Sequence, residues 1–100
     1  MNLGDSGGHE QSGMRPAVIF SEVVANVAMA IPITSNTRVL RFAHTVEISP
    51  SSSNNLAVLS IAMVFQLRAL DVKKLEKKIG TLTAAEIKLL NREIKKMLKV

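Results

Sequence analysis

Apolar and polar positions divide the chain into blocks of different period. "RPAVIFS" and "NVAMAIPIT" are short apolar blocks rich in Val and Ile, separated by a polar kink and each ended by proline or small polar residues. Blocks of this length and β-branched content predict two buried strands. "TSNTR" has loop composition. In "LRFAHTVEIS", Val46 and Ile48 alternate with Thr45 and Glu47, the pattern of a strand with one wet face, and "PSSSNN" is a loop. "LAVLSIAMVFQLRALD" is long for one strand and predicts two stretches joined by a bend, with Gln66 and Arg68 projecting to one side of the pleat. Five or more strands make the chain mainly β.

The period then changes. From Thr83 onward Ile87, Leu90, Ile94 and Met97 recur at three or four, and Lys88, Arg92, Lys95, Lys96 and Lys99 fill the intervening positions. This predicts an amphipathic helix whose Ile87, Leu90 and Ile94 pack on the sheet. Its start is marked by a Thr83-x-x-Glu86 capping box, with Leu82 placed to staple onto Ile87 and Gly80 turning the chain into it.

One hundred residues suit a single domain with a modest core, so a homodimer or another partner is expected. The absence of cysteine excludes disulfides, thiolate zinc sites and thiol nucleophiles, and agrees with a cytoplasmic protein. The net charge is +5, yet residues 1–70 carry Arg15, Arg38, Arg41 and Arg68 against Asp5, Glu10, Glu22 and Glu47, so all the excess lies in the last thirty residues. Such a surface suits an acidic partner, nucleic acid or protein, or serves only as a solvated helix face. The apolar run from Ala17 to Ile33 is broken by Glu22, Asn26 and Pro32, so no membrane span is expected, and no basic segment precedes an apolar one as in a secretion signal. No His/Asp/Glu cluster has ligand spacing, so neither a metal nor a cofactor is expected.

The unusual stretch is "GHEQSGMRPAVIF", where a polar loop holding His9, Glu10 and Arg15 runs directly into the first strand. A loop that only reversed the chain would need glycine and small polar residues, not a carboxylate and a guanidinium. Together with "IPITSNT", "VEISPS", "SIAMVFQLRALD" and "LEKKIGTLT" followed by the helix, in this order, the chain resembles the MazF/PemK family of toxin endoribonucleases over nearly its whole length.

The resemblance implies a small SH3-like (PemK/CcdB-like) barrel with a C-terminal helix, residues 1–100 forming one such domain. It implies a homodimer, an acidic antitoxin, and metal-independent cleavage of single-stranded RNA at short sequences. Arg15 and Thr34 match the family's residues at the scissile phosphate. Glu10, Gln11 and Ser12 match the loop that holds RNA, with His9 beside them, and Gln66 matches a groove residue. Ser35 and Arg68 join the RNA-binding set.

These residue types suit that chemistry. Cleaving RNA through its own 2′-hydroxyl requires a proton acceptor, a proton donor to the leaving 5′-oxygen, and positive charge at the phosphate. Arg15 suits the last task, because its permanently charged fork matches phosphate oxygens. Thr34 can donate to a phosphate oxygen or position the attacking hydroxyl. Glu10 could take the proton if a desolvated site raises its pKa. Pro16 restricts Arg15 to an extended conformation. His9 and His44 are not read as a catalytic pair, since His44 opens a strand and the family's usual histidine before "VEI" is Thr45 here.

Three departures accompany the match. The family's opening strand with its Gly-Asp pair is expected to be missing before the loop, where this chain has "MNLGDSGG", leaving an N-terminally truncated domain with an open edge. Phe65 stands where many members carry a carboxylate, and "LAVLS" replaces a polar loop. Two alternatives therefore stand beside the enzyme: an inactive remnant that dimerises or titrates an antitoxin, and a CcdB-like topoisomerase-binding toxin, against which the intact "RPAVIF" and "PITSNT" argue.

Overall fold

The computed structural model describes residues 16–75 and 79–100. Five strands and a terminal helix follow in chain order: β1 (Ala17–Ile19), β2 (Val27–Thr34), β3 (Thr45–Ile48), β4 (Ser60–Met63), β5 (Arg68–Asp71) and α1 (Ala84–Leu98). Short 3-10 turns occupy Thr37–Arg41, Val64–Gln66 and Val72–Lys74. The protein is thus a mostly β antiparallel sheet with one C-terminal helix.

β2 organises the sheet. Along one edge it pairs with β1, from Ala17 opposite Pro32 to Ile19 opposite Ala30. Along the other it pairs with β5 over Val27–Ala30 and with β4 at Ile33 and Thr34. β3 extends the sheet beyond β4. The long apolar run before residue 71 is therefore two strands joined by a bend, as its length predicts. Gln66 does not lie on a pleat, however, because it closes the 3-10 turn that forms the bend.

The bend explains how a proline sits inside the central strand. Successive N–H groups of a strand point to opposite edges, and that of Ile33 donates to the Pro16 carbonyl on the β1 side at 3.0 Å. The nitrogen of Pro32 consequently faces the other edge, at the gap between its β4 and β5 partners where no ladder bond is due. A proline that would ordinarily forfeit a hydrogen bond costs none here.

β1 and β2 are joined by a tight hairpin. Val24 and Val27 exchange both backbone hydrogen bonds, at 2.8 and 2.9 Å, around Ala25 and Asn26, whose φ values are 53° and 66°. Two left-handed residues supply the twist that a two-residue hairpin needs.

The closed barrel expected from the resemblance is not present among the described residues. β1 and β3 are the ends of the strand order, and no described strand joins them. The segment before β3 also departs from expectation, since Thr37–Arg41 forms a 3-10 turn and only Thr45–Ile48 is strand.

The core lies between the sheet and α1. Ile31, Ile33, Ile48, Ala62 and Val64 meet Leu90 and Ile94 of the helix, and Val18, Leu82 and Met97 pack around them. The capping box is formed in full, with the Glu86 N–H donating to Thr83 Oγ1 at 3.1 Å and the Thr83 N–H donating to Glu86 Oε1 at 2.8 Å. Ile87 corrects the periodicity argument, because it is 45% exposed. Glu86 takes the inward direction on that turn, its Oε2 accepting from Asn54 Nδ2 at 3.3 Å, so the next residue is rotated outward.

Asn54 anchors the start of the helix. Its buried side chain accepts from the N–H groups of Ser51 and Leu56 and donates to the Ser49 carbonyl and to Glu86, which meets the full capacity of an amide. The chain passes close by at Gly80, where a Cβ would lie 2.5 Å from the Ser53 carbonyl oxygen.

Candidate functional site

Of the residues singled out in the sequence, His9, Glu10, Gln11, Ser12 and Arg15 lie outside the described residues. Thr34, Ser35, Gln66 and Arg68 lie within them, and β2 arranges three of these along one edge. Thr34 ends the strand opposite Ile61 of β4. Gln66 lies on the turn between β4 and β5, whose pairings with β2 stop at Ile33 and Ala30. Arg68 opens β5 opposite Ala30. At the rise of a strand, the bend carrying Gln66 sits roughly 7 to 10 Å along β2 from Thr34. Ser35 follows Thr34 on the exposed turn.

Thr34 is half-buried, and its hydroxyl is held from one side. The Asn36 N–H donates to Thr34 Oγ1 at 3.1 Å. That bond uses a lone pair of the oxygen, and among the described residues no acceptor takes its proton. The residue before it, Ile33, is tied through its N–H to Pro16, the residue that follows Arg15 in the chain. Gln66 and Arg68 are exposed, so their donors face solvent or a ligand.

The sequence did not single out the structure built just after Thr34. The Asn36 side chain accepts from the Arg38 N–H at 3.0 Å and starts the 3-10 turn Thr37–Arg41. Phe42 caps the turn with its N–H on the Val39 carbonyl. The Arg41 guanidinium lies over the Phe42 ring, 5.0 Å from its centre, and the Phe65 ring stands 5.4 Å from Phe42 at 53°. Phe65 immediately precedes Gln66. The signal available in the sequence was rarity, since the chain has three Phe and no Tyr or Trp, and two of those Phe converge here.

His44 fastens this region to the helix. Its φ of 61° turns the chain sharply before β3, its carbonyl accepts from the Phe65 N–H at 3.2 Å, and its Nδ1 meets Glu93 Oε2 at 2.8 Å. A ring nitrogen engaged in this way holds α1 against the sheet.

Among the described residues no three His, Asp or Glu side chains converge as metal ligands, and no helix is long and apolar enough to cross a membrane. No curated relative matches the chain. The profile of the PemK-like, MazF-like toxins of type II toxin-antitoxin systems matches residues 1–98, and by a match over almost its whole length the chain belongs to that family.

Proposed function

We propose that the protein is the toxin of a toxin-antitoxin pair and acts in the cytoplasm as a metal-independent endoribonuclease on single-stranded RNA. Members of its family are typically endoribonucleases. The observation that carries the proposal is the setting of Thr34: an anchored hydroxyl whose proton meets no acceptor among the described residues, next to a residue hydrogen-bonded to the Pro16 that follows Arg15.

In this reading the Arg15 guanidinium neutralises the phosphate oxygens as they crowd in the transition state. Thr34 donates to one of those oxygens. Glu10 takes the 2′-hydroxyl proton, so that the 2′-oxygen attacks phosphorus and the P–O5′ bond breaks, the leaving 5′-oxygen taking its proton from solvent water. The products are a 2′,3′-cyclic phosphate and a 5′-hydroxyl. Gln66 and Arg68, exposed along one edge of β2 with Thr34, hold the strand on one side of the scissile bond. His9, Gln11, Ser12 and Ser35 complete the RNA-binding set. The active form is a homodimer, and its partner in the cell is an acidic antitoxin, to which the basic C-terminal helix is electrostatically complementary.

Single-turnover cleavage of a short RNA tests the assignment. Thr34→Ala should slow it by roughly 10²-fold or more. Arg15→Lys keeps the charge but loses the fork and should also slow it severely. Parent-like rates in both variants would overturn the site.

A further inference from the structure

We propose that Phe42, supported by Phe65 and flanked by Arg38 and Arg41, is a platform on which the RNA stacks an unpaired base beyond the scissile phosphate. This rests on the reading of the protein as a single-strand ribonuclease, and adds to it a subsite for a base next to the scissile phosphate.

The rings are unusual in position. Phe42 is 45% exposed although aromatic side chains normally bury most of their area. It is not a stray surface residue, because its backbone caps a 3-10 turn and its ring rests against Phe65. Phe65 is in turn fixed by its N–H on the His44 carbonyl, and His44 by its contact with Glu93 of α1. An exposed aromatic face on a rigid mount is what stacking requires, since the ring is ordered before the base arrives.

The charge around it selects the ligand. Arg38 and Arg41 are exposed and form no ion pair with another described residue. Arg41 covers the Phe42 ring in the free protein, a weak contact at an exposed site. A base can take the guanidinium's place over the ring while the guanidinium turns to the adjoining phosphate, so both partners remain matched. The location fits the same strand of RNA. The turn bearing Phe42 leaves directly from Thr34 through Ser35 and Asn36, and Phe65 precedes Gln66. Stacking tolerates any base, so the platform should favour single strands without imposing sequence.

The chain has no Trp or Tyr, so Phe42→Trp introduces a unique fluorophore at the platform. A mixed-sequence 2′-O-methyl RNA of about twelve nucleotides, which cannot be cleaved, serves as the probe. Its addition should quench the tryptophan at position 42 saturably and leave unaffected a control Val23→Trp, placed at an exposed position of the β1–β2 hairpin at the far end of β2 from Thr34. The same RNA annealed to its complement should quench far less. Phe42→Ala should weaken binding about tenfold or more, and Phe42→Tyr should restore it. Unchanged emission at RNA concentrations that saturate anisotropy, or parent-like affinity in Phe42→Ala, would overturn the platform. The two readings separate cleanly. If the protein binds RNA with quenching at position 42 but cuts none, the platform stands and the ribonuclease falls. If it cuts RNA with no response at position 42, the reverse holds.

Discussion

His44 and Glu93 meet at 2.8 Å, forty-nine residues apart, and their contact ties the residue before β3 to the third turn of α1. The pair is half-buried, with side chains 31% and 19% exposed, and Lys96 lies 3.9 Å from the other oxygen of Glu93. A hydrogen bond in this setting contributes about 1 kcal/mol. His44→Ala should lower the unfolding free energy by about that amount in urea titration. His44→Gly should be less harmful, because glycine adopts the left-handed backbone of this position without the penalty that Ala incurs. Equal losses in the two variants would show that relief of the left-handed backbone is no larger than the added chain entropy of glycine.

The helix should respond unequally along its apolar face. Leu90 is fully buried and Leu90→Ala should destabilise by about 2 to 5 kcal/mol. Ile87→Ala should lose less than about 1 kcal/mol, because the side chain is already half in solvent, and Lys95→Ala should change stability by no more than about 0.5 kcal/mol. Thermal melts of the three variants check this order. A loss at Ile87 equal to that at Leu90 would mean that another surface covers it.

Two backbone positions should move stability in opposite directions. Gly80→Ala forces a Cβ to within 2.5 Å of the Ser53 carbonyl, so the 51–55 loop or the strap to α1 must shift. The loss should reach about 1 to 3 kcal/mol. Ala25 has φ 53° in the hairpin, and Ala25→Gly should gain about 0.5 to 1 kcal/mol after the greater chain entropy of glycine is subtracted. Denaturant midpoints of both variants give the comparison directly.

The predicted strands and helix came from local signals: β-branched blocks, the "PSSSNN" break and the Thr83–Glu86 box each act within a few residues. What escaped depends on partners distant in sequence. The 3-10 turn at Thr37–Arg41 has no apolar period, and its start depends on one Asn36 side chain. Gln66 left the pleat because the edge of β2 has two successive partners, a fact of topology. Ile87 fits the helical period but turns outward because Glu86 reaches Asn54, thirty-two residues away. For the candidate site, Thr34 and Gln66 are proposed from the motifs they stand in, whereas Phe42 and Phe65 belong to no common motif, and their pairing is seen only where the fold places the rings together.

The lysines of α1 should influence RNA affinity more than the cut. Replacing Lys88, Lys95, Lys96 and Lys99 with Gln should lower affinity modestly and flatten its dependence on salt, while the cleavage position stays the same. Complete loss of RNA binding in this variant, with Arg15→Ala still binding normally, would move the nucleic-acid site to the helix.

Product analysis of a single-stranded RNA incubated with the purified protein in EDTA tests the central claim most directly. The proposed chemistry uses the RNA's own 2′-hydroxyl and protein side chains, so cleavage should proceed with the metal chelated. It should leave a 2′,3′-cyclic phosphate on one fragment and a 5′-hydroxyl on the other. Cleavage that appears only when a divalent metal is restored, or fragments ending in a 3′-hydroxyl and a 5′-phosphate, would contradict it.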